Sequence, residues 1–227
     1  MDDNLNSVKT SPGDRRGYHH GALRSALLES AEQVIAERGV DGFSLREVAR
    51  RAGVSPAAPA HHFRDTRGLL TALAAEAMRQ FGDALEVADR AKTREARIRG
   101  QGIAYVRFAL ANRAGFDLMW RYTLIDRDDP DYVAASRRAF ALLEGAVRGG
   151  EPPARGPTDP ANATSVAAWS IVHGFASLWI TGALPASLGS DAGAAARPVA
   201  GVLTLSPRGT GRDPGQETDD EPAAARP

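Results

Sequence analysis

The chain has 227 residues, 28 basic and 28 acidic side chains, 43% hydrophobic residues, only 6% aromatic residues and no cysteine. The lack of cysteine excludes disulfides, thiolate catalysis and cysteine-ligated zinc, and fits a reducing compartment such as a cytoplasm. A hydrophobic fraction led by alanine and leucine favours packed helices over sheets, which lean on β-branched and aromatic side chains.

Residues 1–17 are polar, carry Pro12, Gly13 and Gly17, and read as a disordered arm without the apolar run of a secretory signal. In "GALRSALLESAEQVIAERG", Leu23, Leu27, Ala31, Val34 and Ile35 recur at helical spacing, and Gly39 supplies a C-terminal stop. A second helix opens at Ser44. Its "SLRE" run predicts a capping box in which Ser44 and Glu47 satisfy each other's backbone amides, and Gly53 ends it. "VSPAAPAHHF" predicts a short third helix with Ser55 as N-cap and Pro56 at its first position. Pro59 then falls at the fourth position, where it deletes the first backbone hydrogen bond, a loss that a two-turn helix propped by its neighbours tolerates.

A longer fourth helix starts near Thr66 with the stripe Leu69, Leu70, Leu73, Ala77, Phe81 and Leu85. A fifth carries Ile98, Ile103, Val106, Phe108 and Leu110. After the irregular "FDLMWRYTLI" come a helix over 131–148, the loop "GGEPPARGPTDP", an apolar helix over 160–183 and a weak helix near 192–205. The apolar segment is interrupted by Ser165, Ser170, His173 and Ser177, and no stretch approaches the roughly 20 apolar residues of a membrane span, so a buried helix is expected. The chain is expected to be all-α: an arm over 1–17, a helix-turn-helix domain over 18–65, a helical effector-binding and dimerisation domain over 66–205, and a disordered tail over 206–227.

Residues 44–63 carry the chemistry of a helix-turn-helix. Ala49 lets two helices pack closely, Gly53 takes the left-handed conformation of the turn, Val54 plugs the core and Ser55 starts the next helix. Such a unit lays the start of its second helix in the DNA major groove. Formal net charge is zero, but residues 15–67 hold nine arginines against six acids and four of the five histidines. Arg46 in a first helical turn opposes the macrodipole, so a phosphate or guanine edge explains it, against the alternative of a solvated surface arginine. Arg50 and Arg51, at the C-terminal end, suit the dipole and need no function.

Over "GALRSALLESAEQVIAERGVDGFSLREVARRAGVSPAAPAHHFRDTRGLL" the chain resembles the DNA-binding region of TetR-type transcriptional regulators. "YVRFALANRAGFDLMW" and "WSIVHGFASLWITGAL", through Trp169, His173 and Gly174, resemble the subgroup named for a Trp-His-Gly signature. The resemblance implies a homodimer, double-stranded DNA with a palindromic operator, and a small-molecule effector that alters DNA affinity. Carried over by position, it implies DNA contacts from Ser44, Arg46, Ser55, Pro56, Ala57, Ala58, Ala60, His61, His62, Arg64 and Thr66. The family's usual Leu-Tyr before the His/Phe pair is Pro59 and Ala60 here, and its usual lysine is Thr66. Two phosphate contacts are thereby lost, for which Arg64 or Arg67 could compensate.

Tyr105, Phe108, Phe116, Trp120, Trp169 and His173 are the candidate effector-binding residues, since a mostly apolar pocket with a few polar groups suits a small molecule between helices. The alternative is that most of them are core, and His173 is equally a satisfied buried histidine or a ligand contact. Gly174 inside a helix points to close packing, with segment 160–183 as the dimer seam. No nucleophile elbow, phosphate loop or metal spacing occurs, so neither catalysis nor a cofactor or metal is expected. The reading is a ligand-responsive dimeric repressor in the cytoplasm. The alternative is a helical sensor or scaffold whose DNA-binding surface has decayed.

Overall fold

The computed structural model describes residues 12–149 and 160–202. Its elements are α1 (Pro12–Arg38), a 3-10 turn (Val40–Gly42), α2 (Leu45–Arg51), α3 (Ala58–Phe63), α4 (Thr66–Ala88), α5 (Arg94–Ala111), α6 (Arg113–Leu118), α7 (Pro130–Arg148), α8 (Pro160–Ile180), a second 3-10 turn (Ala186–Leu188) and α9 (Ala192–Val202). No strand occurs among the described residues, as the composition predicted. The helix expected to follow the arm begins inside it, at Pro12; residues 1–11 and the tail from 203 onward lie outside the described residues.

Local chemistry explains the boundaries. Asp65 caps α4 by accepting the Gly68 amide at 2.8 Å, Thr93 caps α5 through the Ala96 amide at 3.2 Å, and Asp129 caps α7 through the amides of Asp131 and Tyr132. Proline at the first position of α7 and left-handed Gly149 just past its end complete that helix.

One apolar cluster runs through the molecule. Leu27, Ala31, Val34 and Ile35 of α1, Val48 of α2 and Phe63 of α3 meet the first turns of α4, while Met78, Phe81 and Leu85 further along α4 meet α5 and α7. α4 is thus the spine shared by the N-terminal three helices and the C-terminal bundle. Polar ties reinforce the join: Arg67 Nη2 donates to the Ile125 carbonyl at 2.8 Å, the Asp126 amide donates to the Thr71 hydroxyl at 2.8 Å, and Arg121 pairs with Asp41 at 3.3 Å.

α8 departs from its expected burial. Ala163–Ile180 has a mean hydropathy of 1.3 and, by length and composition alone, could cross a membrane, contrary to the expectation from its interrupting serines. One face, with Ser165, Ala168, Val172 and Ala176, is buried against the chain. The opposite face, with Val166, Ala167, Ser170, Ile171 and Leu178, is exposed.

Candidate nucleic-acid interface and ligand cavity

The helix-turn-helix is fastened by Glu47. Its carboxylate accepts from Arg50 Nε at 2.8 Å and Arg51 Nε at 2.9 Å and lies 3.5 Å from Arg38, while Arg51 Nη1 reaches Glu37 of α1 at 2.8 Å. Hydrogen bonds from Arg50 and then Arg51 hold the Glu47 carboxyl down at about 2. The expected capping box therefore does not form. Ser44 caps α2 with its backbone only, because three guanidiniums claim the carboxylate that would have reached back to it. Arg50 and Arg51 are fasteners of the helix-turn-helix. Gly53 closes the turn at φ +67°, with the Val54 amide on the Ala49 carbonyl at 3.0 Å.

The third helix starts later than its sequence predicts. Ala57, not Ser55, is the N-cap, and Ala58 and Pro59 occupy the first two positions, so Pro56 lies in the preceding turn. Pro59 deletes no intrahelical bond there, because first-turn amides have no helical acceptor. Its ring is fully buried. The second proline is a core residue at a helix start, and this removes the apparent conflict in the sequence.

Around this anchor the DNA candidates lie at the surface. Arg46, Ser55, Pro56, Ala57, Ala60, His61, Arg64 and Thr66 are exposed, and Ser44, Ala58 and His62 are half-buried. Of the described arginines between 22 and 67, Arg24 stacks on Phe63, Arg38, Arg50 and Arg51 are in ion pairs, and Arg67 holds the Ile125 carbonyl. The guanidiniums of Arg46 and Arg64 have no bonding partner among the described residues.

Arg64 also sits in an unusual backbone. Its φ of 67° and ψ of −61°, with the Asp65 amide on the Phe63 carbonyl at 2.8 Å, make a γ-turn of the rarer, strained hand. Gly68 permits it: a Cβ there would lie 1.9 Å from the Phe63 carbonyl oxygen.

Five of the six effector candidates separate over two cavities. The first, of about 460 Å³, lies among α4, α5, α7 and α8 and is lined by Tyr105, Trp120 and Trp169 together with Met78, Phe81 and Gln101. The second, of about 610 Å³, runs from α1 to α8 and is lined by Phe116, Trp120 and His173 with Glu32 and Asn112. Phe108 lines neither and packs in the core, its ring 5.2 Å from that of Phe81. Trp120 is common to both cavities.

Tyr105 and His173 join the two. The Tyr105 hydroxyl is 2.8 Å from His173 Nδ1 and accepts from Trp169 Nε1 at 3.2 Å. Burial pushes the phenol above and the imidazole below their usual values, so both are neutral at pH 7. Sequence reasoning missed Gln101, Ser136, Arg137, Phe140 and Glu144, which also line the first cavity. Gln101 had a legible signal, since it is the polar residue between Ile98 and Tyr105 on one helical face.

Residues 27–73 match the family described as "Bacterial regulatory proteins, tetR family", and residues 98–203 match "Tetracyclin repressor-like, C-terminal domain". Over 63 residues the chain is 36% identical to the HTH-type transcriptional regulator BetI of Yersinia pestis (strain Pestoides F), covering 28% of this chain and 32% of that protein. The chain thus spans about a third of the length of the curated relatives it matches. A solved protein with unknown function from Rhodococcus sp. RHA1 is 35% identical, with a TM-score of 0.67 over 82% of this chain and 95% of that one. The TetR family transcriptional regulator PfmR from Thermus thermophilus shares the fold at 19% identity, with a TM-score of 0.58 over 78% and 96% of the two chains.

Proposed function

The chain belongs to the TetR family of bacterial regulatory proteins, and from that premise we propose that it is a dimeric, cytoplasmic repressor released from a palindromic operator by a small molecule. The observation that carries this reading is a pair of guanidiniums without a partner among the described residues, Arg46 and Arg64, near the exposed Ser55–Ala57 and His61 surface on an ion-paired base. The small side chains before α3 let the backbone approach a groove and offer methyl contacts to thymine. The finer placement in the Trp-His-Gly subgroup rests on Trp169, His173 and Gly174.

A second copy fits the exposed face of α8. Val166, Ile171 and Leu178 present apolar surface there, and a Cβ added at Gly174 would meet nothing of this chain within 4 Å, so its smallness serves something outside the chain. A twofold axis along this face pairs two α3 helices for half-sites about 34–36 Å apart. Ligand would act through Trp120 and Tyr122, which line the first cavity and lead into the Ile125–Asp126 segment bound to Arg67 and Thr71 of α4.

A mobility-shift titration against the DNA upstream of the protein's own gene, at two salt concentrations, tests the reading. Specific, salt-sensitive binding supports it; no salt-sensitive shift favours a helical sensor without DNA affinity.

A further inference from the structure

Two residues that line the first cavity each carry a buried polar atom with no partner among the described residues. Gln101 is 1% exposed, and its Nε2 is held by two acceptors, Asp89 Oδ1 at 2.8 Å and the Leu142 carbonyl at 3.1 Å. Turning the amide over would set oxygen against oxygen, so the orientation is fixed and Oε1 is left as a buried acceptor without a donor. The second atom is Trp120 Nε1, a buried donor without an acceptor. The Tyr105 hydroxyl and the Trp169 indole on the same walls are satisfied, since Tyr105 bonds to both His173 and Trp169. A buried polar atom left unpaired is costly, and its persistence points to a partner from outside the chain.

Charge narrows the chemistry further. Among the described lining residues the charged side chains are Arg137 and Glu144, both on α7. Arg137 is exposed at the rim, and Glu144 is engaged by Arg148 Nε at 2.8 Å. Asp89, behind Gln101, is matched by a two-pronged bond from Arg97 at 2.8 and 2.9 Å. The remaining wall is Met78, Phe81, Leu85, Ile98, Trp169 and their apolar neighbours. A charged group carried to the depth of Gln101 and Trp120 would give up its hydration without an unpaired counter-charge beside it, since Arg137 lies out at the rim.

We propose that the effector is an uncharged, mainly apolar molecule that brings a hydrogen-bond donor to Gln101 Oε1 and an acceptor to Trp120 Nε1. This rests on reading the first cavity as the effector site. It makes Gln101 and Trp120 the residues that select by polarity, in a wall that otherwise selects by shape.

The test uses the full-length protein and probes built on one ten-carbon skeleton: decanamide (donor and acceptor), 2-decanone (acceptor only), decanoate and decylamine. Binding is followed by tryptophan fluorescence and calorimetry. Decanamide is expected to bind saturably and at least about tenfold tighter than either charged probe. Gln101→Met is expected to weaken decanamide about three- to tenfold and leave 2-decanone unchanged, whereas Trp120→Phe, followed by calorimetry, weakens both. Circular dichroism confirms that each variant folds, and the 2-decanone comparison separates a lost hydrogen bond from a disturbed wall.

Decanoate or decylamine binding as tightly as decanamide overturns the proposal. So does equal weakening of decanamide and 2-decanone by Gln101→Met, or the absence of saturable decanamide binding. A parallel mobility shift keeps the two readings apart. Decanamide that binds but leaves DNA affinity unchanged removes the effector role, while loss of decanamide binding with DNA affinity intact removes only the ligand class.

Discussion

The Tyr105 hydroxyl of α5 lies 2.8 Å from Nδ1 of His173 on α8 and holds the Trp169 indole one turn away. A single phenol thus fastens two turns of α8 to the helix that walls the ligand cavity, on the partition between that cavity and the one facing α1. Tyr105→Phe keeps the ring in its edge-on contacts with Phe81 and Phe116 but leaves two buried nitrogens without a partner. It is expected to cost about 1–3 kcal/mol, measured by urea denaturation.

The same contact predicts a pH dependence. Burial lowers the His173 value in the folded state below its ordinary 6.5, so the unfolded chain binds the proton more readily. This contribution to stability is fully present only at pH above 6.5, falls as the pH drops below 6.5, and stops falling once the folded-state value is passed. His173→Phe should flatten this slope in denaturation midpoints taken from pH 8 to 5.

Glu47 responds to acid in a lower range. Its folded value of about 2 lies below the ordinary 4.5, so the stability it adds is complete above 4.5 and is lost as pH falls towards 2. Glu47→Gln should lower the thermal midpoint at pH 7 and release Arg50 and Arg51. Hydrogen exchange should show α2 protected less than in the parent, with α4 unchanged.

Arg46 is exposed and has no bonding partner among the described residues. Arg46→Ala should leave the thermal midpoint within error and weaken operator binding by about 1–3 kcal/mol if it reads a guanine. If it meets a phosphate instead, the salt slope should fall by about one. Unchanged affinity in the mobility shift would remove it from the interface.

At Arg64 stability and binding should part company. Glycine accepts the positive φ without strain, so Arg64→Gly should raise stability by about 1 kcal/mol while weakening DNA binding. Gly68→Ala, whose Cβ would meet the Phe63 carbonyl oxygen at 1.9 Å, should instead destabilise by about 3 kcal/mol. Urea midpoints measured alongside mobility shifts check both.

Leu178 is 47% exposed on the outer face of α8. If a second copy covers that face, Leu178→Glu should yield a monomer in light scattering after size exclusion. Operator affinity should then fall on the order of a hundredfold, because each half-site binds alone.

The sequence by itself determined the class of the protein and the order of its helices except α6, which lies where only an irregular element was expected. Apolar spacing along α4, the glycines at 39 and 53 and the caps at Asp65, Thr93 and Asp129 act within a few residues of each other, so they are legible without the fold. Where a local expectation failed, pairing and packing had redirected the group. Glu47 left Ser44 for Arg50 and Arg51 of its own helix, with Arg38 of α1 close by, and Pro59 was drawn into the core so that the helix began after Pro56. Arg67 holds a carbonyl 58 residues away.

Only the tertiary structure decided which aromatics share a cavity, that Phe108 is core, and that Gln101 and Trp120 hold polar atoms with no partner among the described residues. These are properties of space between helices, set by packing among α4, α5, α7 and α8. No spacing along a single helix encodes them, because the groups that meet there are contributed by elements dozens of residues apart.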